Sequence, residues 1–158
     1  MNIFESGLFE LSKLFLMPVL VLIVFALAYA FITAGAFAME AWQRFRGTYQ
    51  SPLVAYQATH TVGSEDLELW IMKRLERLRI VSRTAPMLGL VATMIPMGPA
   101  LLALANNDAK AIGESLVVAF SAVILALVSA SITFVLLTVR RRWLLQELRA
   151  IERQTEPA

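Results

Sequence analysis

Three windows of this chain contain no Asp, Glu, Lys, Arg or His: Leu14 to Met39, Thr84 to Asn107 and Ser115 to Val139. Each is longer than the ~20 residues that carry a helix across a bilayer core. Lipid offers no partner to a bare N–H or C=O, so such a window must satisfy its backbone internally, as a helix. The windows therefore predict an all-α membrane protein with three transmembrane helices. Composition agrees, because the chain is 58% hydrophobic and 16% charged, against about 45–50% and about 25% in soluble domains.

The positive charges between the windows are unevenly placed. Segment 40–83 carries Arg44, Arg46, Lys73, Arg74, Arg77, Arg79 and Arg83. Segment 140–158 carries Arg140, Arg141, Arg142, Arg149 and Arg153, whereas the only cations of segments 1–13 and 108–114 are Lys13 and Lys110. Positively charged loops stay on the cytoplasmic side. The expected topology puts 1–13 and 108–114 outside, and 40–83 and 140–158 in the cytoplasm. The basic segments flank membrane windows, so topology and anionic lipid explain them better than nucleic acid does. The AFA at 36–38 has the small-x-small form of a signal cleavage site. Glu5 and Glu10 precede it and the apolar run is long, so the expectation is an uncleaved span.

Between the windows the apolar residues are periodic. Ile3, Phe4, Leu8 and Leu11 suit a short interfacial helix over 1–13 that leads into the first span. That span is bulky early, which suits lipid contact, and small late, with Pro18 expected in its first turns. Residues 47–64 mix Gly, Pro, Ser and Thr and read as an irregular connection, in which His60 reads as a solvated or packed loop residue. Ser64 is placed to cap the next helix, and Glu65 and Asp66 suit its positive N-terminal end. Leu67, Trp70, Ile71, Leu75 and Leu78 then form a stripe that can continue into the second span. Trp143, Leu144, Leu148 and Ile151 form a second stripe in the tail. The two stripes can pack on each other within one subunit or between subunits. The short segment 108–114 predicts a tight antiparallel hairpin of spans two and three.

A helix turns by about 100° per residue. On the second span this gathers Gly89, Ala92, Thr93, Pro96, Ala100 and Ala103 on one face, and on the third Ser115, Ala119, Ala122, Ala126, Ser129 and Thr133. Small faces allow close helix packing in lipid. They also suit the wall of a pore or the seat of another helix, and both readings stand at this level. Pro96 and Pro99 free the carbonyls of Ala92 and Ile95, which lipid does not accommodate but protein or an aqueous cavity does. Thr93 can bond back to Gly89 or face water and a moving proton. No span holds an Asp, Glu, His, Lys or Arg, although ion-coupled membrane proteins normally keep an ionisable residue of this kind there. If the chain conducts protons, the titrating group comes from a partner. There is no Cys, no metal-ligand cluster, no phosphate loop and no nucleophile–base constellation. The expectation is therefore no enzyme, no metal and no cofactor.

The run RLERLRIVSRTAPMLGLVATMIPMGPALLAL, then GESLVVAFSAVILALV, then TVRRRW resembles the MotA/TolQ/ExbB proton channel family over about residues 65–150. The resemblance implies a homopentamer with cytoplasmic helical extensions. Its implied partner is a dimer of a MotB/TolR/ExbD-like single-span protein whose membrane Asp carries the proton. It implies a Thr on the second span and another on the third beside that Asp. Thr93 matches the first and stands in the AP-x-x-GL-x-x-T motif with Pro86 and Gly89; Pro96 and Pro99 are further candidate pore-helix backbone residues. The second Thr is replaced. Anchoring on Glu114 puts Ala119 there, anchoring on Ala126 puts Val123 there, and Ser121 is the nearest hydroxyl; Ala122 and Ala126 fall on the packing face. Segment 40–83 is short for the family and lacks a large rotor-contacting domain, so the TolQ/ExbB-like branch is favoured. The function so implied is a proton-channel or stator subunit of an ion-driven motor in a prokaryotic inner membrane. The rival reading is a non-conducting oligomeric membrane scaffold subunit.

Overall fold

Helix α1 runs unbroken from Ile3 to Phe45. In the computed structural model residues 3–47, 52–59 and 64–155 are described, and apart from two short turns all of them are helical. Residues 1–13 and 14–39, expected as an interfacial helix followed by a span, form one helix from Ile3 on, with no break at the change in polarity. Pro18 consequently sits well inside α1 and not in its first turn. The bulky half of the first window is mostly exposed, with one correction: Val19 and Ile23 are buried. Gly47 closes the helix at φ 71°, and its N–H donates to the Arg44 carbonyl at 3.2 Å. A left-handed residue of this kind is the common helix stop, and glycine takes it without a Cβ clash.

The connection read as irregular holds an eight-residue helix, α2, Pro52–Thr59. Proline at a first helical position loses only an N–H that has no helical partner anyway. Leu53 is fully buried, and that tertiary burial is not visible in the sequence of so short a segment. His60 lies outside the described residues, as does the Ser64 side chain.

Helix α3 spans Ser64–Ala105 and α4 spans Ala109–Thr155. The basic amphipathic segment therefore continues into the second charge-free window as a single helix. Residues 109–114, expected as loop, are the first turns of α4; the true turn is Asn106 to Asp108. It is short because each residue serves a helix end. Asp108 N–H donates to the Ala103 carbonyl at 2.9 Å and Asn107 N–H to the Leu104 carbonyl at 3.1 Å. Asn107 takes φ 54°, a conformation asparagine tolerates. The Asp108 carboxylate then accepts from Ala111 N–H at 3.1 Å and caps α4. The result is an antiparallel α3–α4 hairpin with α1 laid against it. Three helices are long and apolar enough to cross a membrane: Glu10–Phe45, Glu65–Ala105 and Ala109–Arg153.

Two cores hold these helices. Far from the α3–α4 turn, Leu67, Ile71, Leu75 and Leu78 of α3 pack with Leu136, Leu144, Leu148 and Ile151 of α4 and with Leu53. The two apolar stripes thus meet within one subunit. Nearer the turn, Val19 and Ile23 of α1 pack against Ala92, Ala122 and Ala126.

Candidate functional site: the small-residue seam and its charged end

The small faces of α3 and α4 face each other. Gly89, Ala92, Pro96, Ala100 and Ala103 are buried on α3, and Ala119, Ala122, Ala126, Ser129 and Thr133 on α4. The closest approach is at Gly89. A Cβ there would lie 2.8 Å from Ala126 Cβ and 3.4 Å from Val123 Cγ2. Ala126 Cβ is fixed to its backbone, so no side chain can rotate away. In lipid this is how two helices bind tightly, by dispersion at short range. Ser129 and Thr133 are buried polar side chains whose hydroxyls donate within α4, to Leu125 O at 2.7 Å and Ser129 O at 2.8 Å. They add no bond between helices and leave none unmade.

The residues expected along a proton path divide across this seam. Thr93 sits at its edge, partly exposed, and its Oγ1 donates to the Leu90 carbonyl at 2.7 Å. The backbone partner is Leu90, not Gly89. With the hydroxyl proton committed to the helix, the oxygen keeps lone pairs for an outside donor. Ala119 is buried, Val123 is half-buried against Gly89, and Ser121 is exposed on the side of α4 turned away from the seam. Pro96 is buried, and Pro86 and Pro99 are half-buried. The structure brings Gly89, Val123 and Ala126 into direct contact and joins Ala92 and Ala122 to the same cluster.

Where the helices leave their charge-free windows, an ion-pair network links α1 to α4. Arg44 Nη2 donates to Glu147 Oε1 at 2.6 Å and lies 3.5 Å from Glu40 Oε1. Arg140 Nη2 donates to Glu40 Oε2 at 3.0 Å. Phe37 stacks on Trp143 with centroids 5.1 Å apart, and the Arg44 guanidinium lies over Trp143 at 4.4 Å. These side chains are about three-quarters buried, Arg140 with 24% and Glu40 with 22% of the side chain exposed. Sequence reasoning assigned Arg44 and Arg140 only a topological role. One signal pointed further: Glu40 and Arg140 are each the first charge after an apolar window. Two opposite charges at the same depth can neutralise each other there.

Among the described residues no group of three or more His, Cys, Asp and Glu could hold a metal ion. Comparisons with curated proteins and with solved structures returned no match. The family model for MotA/TolQ/ExbB proton channels matches residues 64–153. That stretch is α3, the tight turn and almost all of α4, the same hairpin that carries the small-residue seam and Thr93. Three membrane-competent helices and this match over more than half its length make the chain a multi-pass membrane subunit that belongs to the MotA/TolQ/ExbB proton channel family.

Proposed function

We propose that this chain is the channel or stator subunit of a proton-driven motor in a prokaryotic inner membrane. It works as a homopentamer around a dimer of a MotB/TolR/ExbD-like single-span partner whose membrane Asp carries the proton. The observation that carries the reading is the pairing of two facts. No Asp, Glu, His, Lys or Arg lies in the three charge-free windows, and Thr93 presents a partly exposed hydroxyl whose own proton is held by Leu90 O. Such an oxygen accepts a hydrogen bond from a protonated partner carboxyl or from water, so it suits one stage of a relay whose titrating group sits on another chain. Downhill proton movement releases about 2.3 kcal/mol per charge per 100 mV, which turns or gates the pentamer about its partner. The basic segments 40–83 and 140–158 support a cytoplasmic position for the distal parts of α3 and α4. With Ser121, Ala119 and Val123 the candidates for the position across from Thr93, that position carries one hydroxyl at most.

The chain reconstituted in vesicles with its single-span partner tests this. We expect proton flux under an applied potential, and a drop of at least about tenfold for Thr93→Val, the range for loss of one positioned proton-transfer group. Absence of flux, or full flux in Thr93→Val, sinks the reading.

The non-conducting scaffold keeps one observation in its favour. The small faces are occupied by each other, so their composition is accounted for without a pore. It predicts stable oligomers and no flux with any partner.

A further inference from the structure

We propose that the groove between the distal parts of α3 and α4 binds the headgroup of an anionic phospholipid. It encloses about 970 Å³, and five arginines line it: Arg79 and Arg83 from α3, and Arg141, Arg142 and Arg149 from α4. No carboxylate is among the lining residues. Ion pairs among the described residues use Arg44, Arg140, Lys13 and Lys110, and none of these five. One flank of the distal hairpin is thus neutralised by Glu40 and Glu147, while the other gathers like charges in a concavity. Fixed cations in such a cleft focus a positive potential and raise the local concentration of anions. Arginine forks match a phosphate bidentately. Ser82 and Thr138 also line the groove, but their hydroxyls donate to their own helices, to Arg79 O at 3.0 Å and Phe134 O at 2.9 Å. The arginines, with the Gln146 amide that also lines the groove, are therefore the donors for a ligand.

The wall selects a lipid over a soluble anion or an acidic protein segment. Phe134 and Leu137 line the same groove and lie inside the third charge-free window, and Phe134 is 61% exposed. Arginine gives way to hydrocarbon along one continuous surface, at the level where both helices pass into their apolar windows. A phosphate held by Arg83 and Arg142 would have its acyl chains leave along Phe134. Basic pockets between membrane helices recognise anionic headgroups in this way. The inference rests on α3 and α4 crossing a membrane, and it is independent of proton conduction.

The full chain, purified in mild detergent, is offered equal amounts of phosphatidylglycerol and phosphatidylcholine with matched acyl chains, and bound lipid is counted by native mass spectrometry. We expect phosphatidylglycerol to be retained about tenfold over phosphatidylcholine. The triple variant Arg83→Gln, Arg142→Gln, Arg149→Gln should lose that preference, and the matching triple Arg→Lys variant should keep most of it. Arg46→Gln with Arg74→Gln, which line other concavities, should leave it within about twofold. Circular dichroism of each variant reports the fold separately. Equal retention of the two lipids, or an equal loss in the Arg46 and Arg74 control, overturns the proposal. So does displacement of phosphatidylglycerol by millimolar inorganic phosphate or by a polyglutamate peptide, which would reassign the groove to a soluble anion or to an acidic protein segment.

Discussion

At Gly89 and Ala126 helices α3 and α4 meet through the smallest side chains available, whereas farther from their turn the same two helices meet through Leu67, Ile71, Leu75, Leu144 and Leu148. The solvent outside explains the difference. In lipid, burying a leucine gains nothing over leaving it among acyl chains, so helices bind by approaching closely and gaining dispersion. Where water surrounds the helices, removal of large apolar side chains from solvent drives association. One hairpin therefore uses close approach in one half and apolar volume in the other. The halves should respond oppositely to the same change in side-chain size.

The largest effect is expected at the close approach. Gly89→Leu puts a branched side chain where even a Cβ lies 2.8 Å from Ala126, and overpacking by a methylene or so already costs about 1–3 kcal/mol. We expect loss of the folded hairpin, read as loss of protease resistance and of a monodisperse peak in detergent. Gly113→Leu is the comparison, because a Cβ there meets nothing within 4 Å, and it should leave both measurements unchanged. Failure of Gly89→Leu reports the subunit and not its assembly, because the contact lies within one chain.

The leucine half should fail by subtraction. Leu75 is buried in the distal core, and Leu75→Ala should lower stability by about 2–5 kcal/mol, the range for a leucine truncated in a packed core. Thermal unfolding in detergent measures it. If Leu75→Ala were neutral while Gly89→Leu unfolded the chain, the distal stripe would be no core, and the contrast between the halves would collapse.

The charged link between α1 and α4 comes next. Glu40→Gln leaves Arg140 and one contact of Arg44 facing a neutral group in a site that is mostly buried. Leaving such donors without their carboxylate costs about 1–3 kcal/mol. The same melts should show a drop smaller than that of Leu75→Ala, together with easier proteolysis near the end of α1. A Glu40→Gln, Arg140→Gln double variant that melts no lower than the worse single variant would show that the two residues act as one pair.

How far the sequence reached follows the same division. Leu67, Ile71, Leu75 and Leu78 repeat at helical spacing, and every one is buried, because amphipathic periodicity in water is a local signal. The small faces were legible as faces, but what covers them was not. An alanine stripe looks the same against a pore, a second subunit or its own hairpin partner. The Glu40–Arg140 pair joins residues 100 positions apart, and no local pattern encodes which helices meet. Helix α2 escaped for the same reason. Leu53 is buried by tertiary contacts, while its neighbours carry the composition of a loop. Of the candidate path residues only Thr93 has a partner that sequence nearly supplied: a membrane threonine bonds back to its own helix, and the chosen carbonyl is three residues back and not four.

Thr93 gives the smallest structural effect and the sharpest contrast. It lies on α3 just beyond the close approach, yet its hydroxyl bonds within its own helix and touches no other helix through that bond. Thr93→Val keeps the shape and the β-branch and removes only that intrahelical bond, so its melt should stay within about 0.5 kcal/mol of the parent, as for substitutions outside a packed core. Gly89→Leu should abolish fold and flux together, whereas Thr93→Val should lower flux by at least about tenfold at unchanged stability, and Thr93→Ser should restore it by returning the oxygen. A Thr93→Val variant that melted as far below the parent as Leu75→Ala would make Thr93 part of the seam, and its flux would then say nothing about a proton path. Equal stability with lost flux separates the two, because the seam is built from contacts that a missing hydroxyl cannot weaken.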